Sequence, residues 1–255
     1  MIDAILLAGG TPAPDSPLYP YTQGKPKAAL EIGGKSMLQW VIDALEQAET
    51  ISTIAVVGCE ELQDQIQSKK VASWQPAADD MIMNFKRGAD AILELNPAAR
   101  SVAIVSSDIP LITPEAINWA INQSQMSEAE LFYFVIDQPT MEGRFSESSR
   151  SYTQLKDMNV CGGDLSIIQL DLYTKKKDLW NKLAKARKSS LRLAAVIGID
   201  ILLLLFLKRL TLDDAILKVT RRLNITGLGL LCPYPEIGMD IDKPYQLELV
   251  RRILS

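Results

Sequence analysis

Ile2-Asp3-Ala4-Ile5-Leu6-Leu7-Ala8-Gly9-Gly10 is an apolar run that ends in two glycines. Its length and aliphatic content predict a buried strand. Two glycines at its end let backbone approach a ligand with no Cβ in the way, and the free N–H groups of such a turn favour an anion. Downstream, Gly24-Lys25-Pro26-Lys27-Ala28-Ala29-Leu30 brings in two lysines, which carry the charge a polyphosphate needs. Gly33-Gly34-Lys35 then opens a helix predicted from Met37, Leu38, Val41, Ile42 and Leu45, which share one face at helical spacing. Neither Gly-x-Gly-x-x-Gly nor Gly-x-x-x-x-Gly-Lys-Ser/Thr is present, so this βα unit follows neither of the common phosphate motifs.

The same alternation continues outward. Ser52 to Gly58, Ser101 to Ser106 and Leu131 to Ile136 read as buried strands, separated by helical patterns at Glu60 to Gln67, Met81 to Leu95 and Thr113 to Asn122. Strand and helix in alternation predict an α/β fold, a three-layer αβα sandwich around a mainly parallel, doubly wound sheet. Ligands of such sheets bind beyond the carboxyl ends of the strands, where both the glycine turn and Ser106-Ser107-Asp108 fall. Residues 1–255 read as one domain, with an inserted polar loop near 138–151 and an apolar helical segment near 191–208.

Composition narrows the function. Hydrophobic residues make up 47% of the chain and charged ones 23%, ordinary for a globular protein, and a net charge of −4 argues against a nucleic-acid partner. Cys59, Cys161 and Cys232 are odd in number and widely spaced, which points to reduced thiols in the cytoplasm and to neither a zinc site nor a disulfide framework. No basic stretch precedes the first strand, so no export signal is expected. The absence of histidine excludes Ser-His-Asp and Cys-His nucleophilic sites and histidine-ligated zinc. It leaves untouched any reaction whose nucleophile is already an anion.

Asp108 follows an apolar strand and precedes Ile109-Pro110-Leu111 and a helix capped by Thr113 with Pro114 at its first position. A carboxylate fixed there suits a divalent cation that bridges phosphate oxygens. An ordinary turn aspartate is the other reading.

Together these segments resemble the nucleoside-triphosphate transferases with a molybdenum-cofactor-guanylyltransferase-like domain, relatives of the sugar-1-phosphate and methylerythritol-phosphate nucleotidyltransferases. The resemblance is specific at 6–10, 24–38, 105–114 and 240–247. It implies that Ala8, Gly9 and Gly10 wrap the nucleotide, that Lys27 meets the phosphates, and that Asp108 and Asp242 hold Mg²⁺, with Asp240 as assistant. In an extended run Asp240 would point to the same side as Asp242. Lys27, Asp108 and Asp242 are then the catalytic set. The implied reaction moves an NMP from an NTP to a phosphorylated small-molecule acceptor and releases pyrophosphate.

Asn84 and Arg87, on the predicted 81–95 helix, are candidates for base or phosphate contacts, an exposed amphipathic helix being the alternative. Cys161-Gly162-Gly163-Asp164 resembles an acceptor-facing Gly-Gly-Asn segment, with aspartate in place of asparagine. Arg150 and Tyr152 are candidates for the acceptor phosphate. A surface loop with a β-bulge is the other reading of this stretch.

Two regions depart from the pattern. Many relatives carry an arginine in a compact glycine loop, whereas this chain has the proline-rich Thr11 to Gln23 without one, which leaves Lys25 as the substitute. The other is Leu193 to Leu207, with Asp200 as its only charge, which follows Lys175, Lys176, Lys177, Lys182, Lys185, Arg187, Lys188 and Arg192 and is closed by Lys208-Arg209. It is shorter than the roughly 20 residues a membrane span needs. Burial or a homodimer contact is the first expectation, and contact with an anionic membrane surface, giving a peripheral location, the second. Two other functions stay open on these features: a nucleotide-sugar glycosyltransferase with Asp240-Ile241-Asp242 as its metal motif, and a non-catalytic nucleotide-binding or membrane-associated protein.

Overall fold

The protein's structure is a computed structural model that describes residues 1–78, 80–186, 194–196 and 198–255. In chain order the elements are β1 (Ile2–Leu7), α1 (Tyr19–Thr22), β2 (Glu31–Ile32), β3 (Lys35–Ser36), α2 (Met37–Gln47), β4 (Ile51–Val57), β5 (Val71–Gln75) and α3 (Met81–Leu95). Then follow β6 (Ser101–Ser106), α4 (Pro114–Ser124), β7 (Leu131–Asp137), α5 (Gln138–Arg144), β8 (Thr153–Gln154), β9 (Asn159–Gln169), α6 (Leu170–Lys175) and α7 (Lys177–Ala186). The last described elements are α8 (Ile199–Phe206), α9 (Leu212–Leu223), β10 (Gly227–Leu231) and α10 (Pro244–Leu254).

The main sheet runs β10-β7-β9-β6-β1-β4-β5, with β8 added beside β9. Its neighbours are parallel except around β9, which is antiparallel to both β6 and β7. β1 lies at the centre because its side chains have core on both sides. Ala4 and Leu6 join the apolar cluster formed with α2, α4 and α10, while Ile5 joins the one formed with α3, α6 and α7. These two clusters are the two faces of the expected αβα sandwich, and the alternation of β1 between them follows from the strand period of two. Gly88 lets α3 seat directly on β1, since a Cβ there would collide with the Ile5 side chain.

Several elements differ from the sequence expectation. Glu60 to Gln67 is not a helix but a 3₁₀ turn at Glu60–Leu62. The chain leaves the helical path because Gln67 exchanges amide hydrogen bonds with Gln39, and Lys69 and Lys70 donate their N–H groups to the Glu46 carboxylate. The loop expected at 138–151 is helical through Arg144, started by Asp137, whose carboxylate accepts from the Thr140 N–H. The extended run expected before Asp242 begins instead as a 3₁₀ turn at Pro235–Gly238. Gly238 there lies so close to the Gly162 carbonyl that an added Cβ would sit 3.0 Å from it.

The apolar segment is the largest difference. In α8 only Ile201 is buried, whereas Leu203 is 55% and Phe206 81% exposed. Burial of this segment is therefore corrected: one face packs on α9 and on the cluster around Val135, and the other lies open. Arg187, Lys188, Arg192, Leu193 and Ile197 lie outside the described residues. Among the described residues no helix is long and apolar enough to cross a membrane.

Candidate active site

Register places the ends of β1, β4 and β6 level, with Leu7 opposite both Val57 and Ser106. The chain diverges from here to opposite halves of the sheet, and such a switch point opens a crevice. The Ala8 N–H continues the ladder by donating to the Val57 carbonyl at 2.8 Å. Gly9 is then pinched between two neighbours. A Cβ on it would lie 2.8 Å from the Asn84 side-chain nitrogen, and a Cβ on Gly58, at φ +96°, would lie 2.5 Å from the Gly9 Cα. Gly10 faces open space, with nothing within 4 Å of an added Cβ.

The proline-rich loop returns to this point. Leu18 and Thr22 anchor it by burial, Gln23 and Gly24 reverse it with positive φ, and the Lys27 N–H donates to the Gly10 carbonyl at 2.8 Å. That bond aims the Lys27 side chain at the end of β6. Its Nζ lies 2.6 Å from Asp108 Oδ2 and 2.9 Å from Asp242 Oδ1. Burial works to lower the Lys27 pKa, but the charges and hydrogen bonds of Asp108 and Asp242 outweigh it and hold the ammonium above its ordinary value.

Each carboxylate is separately fixed. Ser106 Oγ donates to Asp108 Oδ1 at 2.6 Å, and the Asp108 carbonyl accepts from the Ile241 N–H, which ties the C-terminal loop to the β6 turn. The N–H groups of Asp242 and Lys243 both donate to Gln246 Oε1 at 2.9 Å, at the start of α10. Asp240 pairs with Arg150, and both side chains are nearly enclosed. One carboxylate oxygen from each of Asp108, Asp240 and Asp242 lies within 4.8 Å of the others. Three hard oxygen donors so close repel one another unless a cation sits among them, and that donor set fits Mg²⁺. Lys27 and Arg150 supply the balancing charge in this structure.

Lys27, Ser106 and Asp108 border a cleft of about 750 Å³. Gly9, Gly10, Thr11, Ala78 and Asn84 line one part, and Tyr133, Gly163, Asp164 and Ser166 another, with Lys27 and Asp108 also in the wall. Asp164 is pushed up to about 7, first by burial and then by the Asp108 charge, against the pull of Arg150 and Lys27. Gly162 and Gly163 lie inside β9, not in a surface loop, where the register with β7 shifts. Their lack of side chains has a visible reason: a Cβ on Gly162 would strike the Tyr133 hydroxyl, and one on Gly163 would come within 3.0 Å of the Phe134 carbonyl.

Not every candidate faces the cleft. The Asn84 carbonyl oxygen accepts from the Ala78 N–H while its amide borders Gly9, but Arg87 donates to the carbonyls of Pro76 and Ala77 and so shapes that loop from outside. Lys25 is exposed and does not line the cleft. Arg150 is engaged by Asp240, and the Tyr152 hydroxyl is buried without a hydrogen-bond partner. Sequence reasoning missed Tyr133, Ser166, Ser106 and Ser107. Only Ser106 and Ser107 had a signal, their place directly before Asp108 at a strand end.

A family model described as the MobA-like NTP transferase domain matches residues 4–197, which includes the glycine turn, Lys27 and Asp108 and stops short of Asp240 and Asp242. The bifunctional protein GlmU of Thermoanaerobacter pseudethanolicus is 28% identical over 125 residues, 47% of this chain and 26% of that protein. The match thus spans about a quarter of that relative's length. A solved structure of a hypothetical transferase from Thermus thermophilus is similar at TM-score 0.79 and 28% identity, covering 97% of this chain and all of that one. The 4-diphosphocytidyl-2C-methyl-D-erythritol synthase of Anaerococcus prevotii shares the fold at TM-score 0.58 and 12% identity, covering 100% of this chain and 96% of that one.

Proposed function

The chain belongs to the family of MobA-like NTP transferase domains and carries a nucleotidyltransferase domain, and from that premise we propose that it moves an NMP from an NTP to a phosphorylated small-molecule acceptor. An acceptor phosphate oxygen attacks the α-phosphorus in line, the bond from that phosphorus to the bridging oxygen breaks, and pyrophosphate leaves with the electron pair. The observation that carries this reading is the contact of Lys27 with both Asp108 and Asp242 at the wall of a cleft that has the Gly9-Gly10 turn in one part and Asp164 in another.

The chain's own groups have distinct tasks in this reading. Gly10 leaves the cleft floor bare, so that phosphate oxygens can approach backbone N–H groups. Asn84 keeps the turn closed on the nucleotide side. The lining is poor in positive charge, with Lys27 beside Asp80, Asp108 and Asp164. A polyanionic substrate therefore needs a further cation, and Asp108 and Asp242, assisted by Asp240, are the residues that would hold Mg²⁺. The ion, when bound, supplies Lewis-acid polarisation of the phosphate oxygens. Lys27, released from the aspartates, then meets the phosphates, which makes it the group that senses the triphosphate.

The test is transfer of label from an α-labelled NTP to a panel of sugar and polyol phosphates, with pyrophosphate as the second product. Release of a nucleoside diphosphate from a nucleotide sugar would instead favour a glycosyltransferase, and binding without turnover across the panel a sensor. Lys27→Ala should weaken NTP binding by about tenfold or more and NMP binding much less, as read by calorimetry. Equal losses for both would remove Lys27 from the phosphates.

A further inference from the structure

The exposed residues of α8 are Ile199, Leu202, Leu203 and Phe206, followed by Leu207. The first four fall at i, i+3, i+4 and i+7, so they form one stripe at helical spacing on the side opposite buried Ile201. This stripe differs from ordinary scattered surface leucines because it is continuous. Charge surrounds it in a definite way.

Between 175 and 222 the sequence holds thirteen lysines and arginines against four acids, although the whole chain is net negative at −4. The structure places lysines and arginines at both ends of α8. Beyond its N-terminal end, Lys175, Lys176, Lys182 and Arg222 share a groove of about 580 Å³ with Ala195, Val196 and Asp178, and there Lys175 is paired with Asp171 and Lys176 with Glu130. Arg222 also pairs with Asp200 at 2.7 Å, which neutralises the one acid in the helix. At the other end Lys208 and Arg209 are exposed directly after the last turn.

We propose that the outer face of α8 docks on an anionic lipid surface, the apolar stripe entering the headgroup boundary and the flanking cations meeting lipid phosphates. Apolar area and basic charge act together at such a surface, which suits a helix too short to span. A second copy of the chain is the less suitable occupant. Parallel pairing of two α8 helices sets Lys208 and Arg209 against their own copies, and like charges brought together oppose that contact. The proposal rests on this surface alone, independent of turnover in the cleft.

The experiment is co-sedimentation of the full chain with vesicles of phosphatidylcholine alone and of phosphatidylcholine with an equal part of phosphatidylglycerol. Expected is binding to the anionic vesicles, none to the neutral ones, and release at about 0.5 M salt, where screening acts within a few ångströms. Phe206→Glu, at a position 81% exposed, should lower the partition by about tenfold or more with the melting curve unchanged. Lys208→Glu combined with Arg209→Glu should do the same through charge alone. Absence of binding, equal binding to both vesicles, or a dimer mass that Phe206→Glu halves would overturn the proposal, the last by giving the face to a second copy. NTP turnover measured on the same samples stands apart from each of these outcomes.

Discussion

Two apolar runs in this chain meet opposite fates. Ile2–Leu7 is enclosed, with Ala4, Ile5 and Leu6 fully buried, whereas Ile199–Phe206 buries Ile201 and leaves Ile199, Leu203 and Phe206 largely in the open. Hydrophobicity is higher in the second run, so hydrophobicity alone does not decide burial. Partners do. β1 has hydrogen-bonded neighbours on both edges and helices on both faces, while α8 has one packed side. The consequence for function is a division of labour: the buried run holds the two turns of the cleft in register, and the exposed run can vary without moving them.

The hardest test of that division compares a cleft carboxylate with an α8 side chain. Asp108→Ala should lower turnover by about a thousandfold, because it removes a carboxylate proposed to hold the cation and a partner of Lys27 where charge would develop. Leu203→Glu should leave turnover in solution within about twofold, since an exposed substitution outside the core acts little on the rest of the fold. Steady-state rates on both proteins at saturating Mg²⁺ decide it. A loss of comparable size in Leu203→Glu would couple the helix to the cleft and end the separation.

Stability sharpens the same contrast at a smaller scale. Leu6→Ala removes a side chain with no exposed surface and should cost about 2–5 kcal/mol in denaturant unfolding. Leu203→Ala, about half exposed, should change stability by less than about 0.5 kcal/mol. If the two costs are similar, α8 is packed against something in solution, and the open face is covered.

How much of this was legible depends on whether the deciding interaction is local. β1, its glycine turn, α2, and Asp108 before its proline turn were readable because strand period, helical spacing and capping residues lie within a few positions of one another. Tyr133 was not, because its place in the cleft depends on the space left by Gly162, on a strand that follows it across a helix and a turn. Arg150 read as a free phosphate ligand because nothing near it in sequence announces Asp240, its partner from another loop. The exposure of α8 was equally hidden, since a run that is apolar on all sides carries no period to say which face meets the core.

Asp164 offers the finest test, because it asks whether the cleft carries an electrostatic load that the surface helix does not. Its folded pKa stands at about 7 against an ordinary 3.8, with burial as the first cause and the Asp108 charge as the second. An acid whose pKa rises on folding binds its proton more tightly in the native state, so its contribution to stability is fully present below the unfolded pKa and is lost as pH climbs through the folded one. Asp164→Asn removes that proton and keeps the shape. Between about pH 4 and pH 7 the wild type should therefore lose roughly 4 kcal/mol relative to the variant, at about 1.4 kcal/mol per unit of pKa difference, and above that range the difference should level off. Titrating groups away from Asp108, Asp242 and Lys27 are common to both proteins and cancel in the comparison. Urea unfolding of the pair across this range is the measurement, and a difference that stays flat or grows in the opposite direction would mean that the Asp164 carboxylate is already well accommodated in the cleft and is not held protonated beside Asp108.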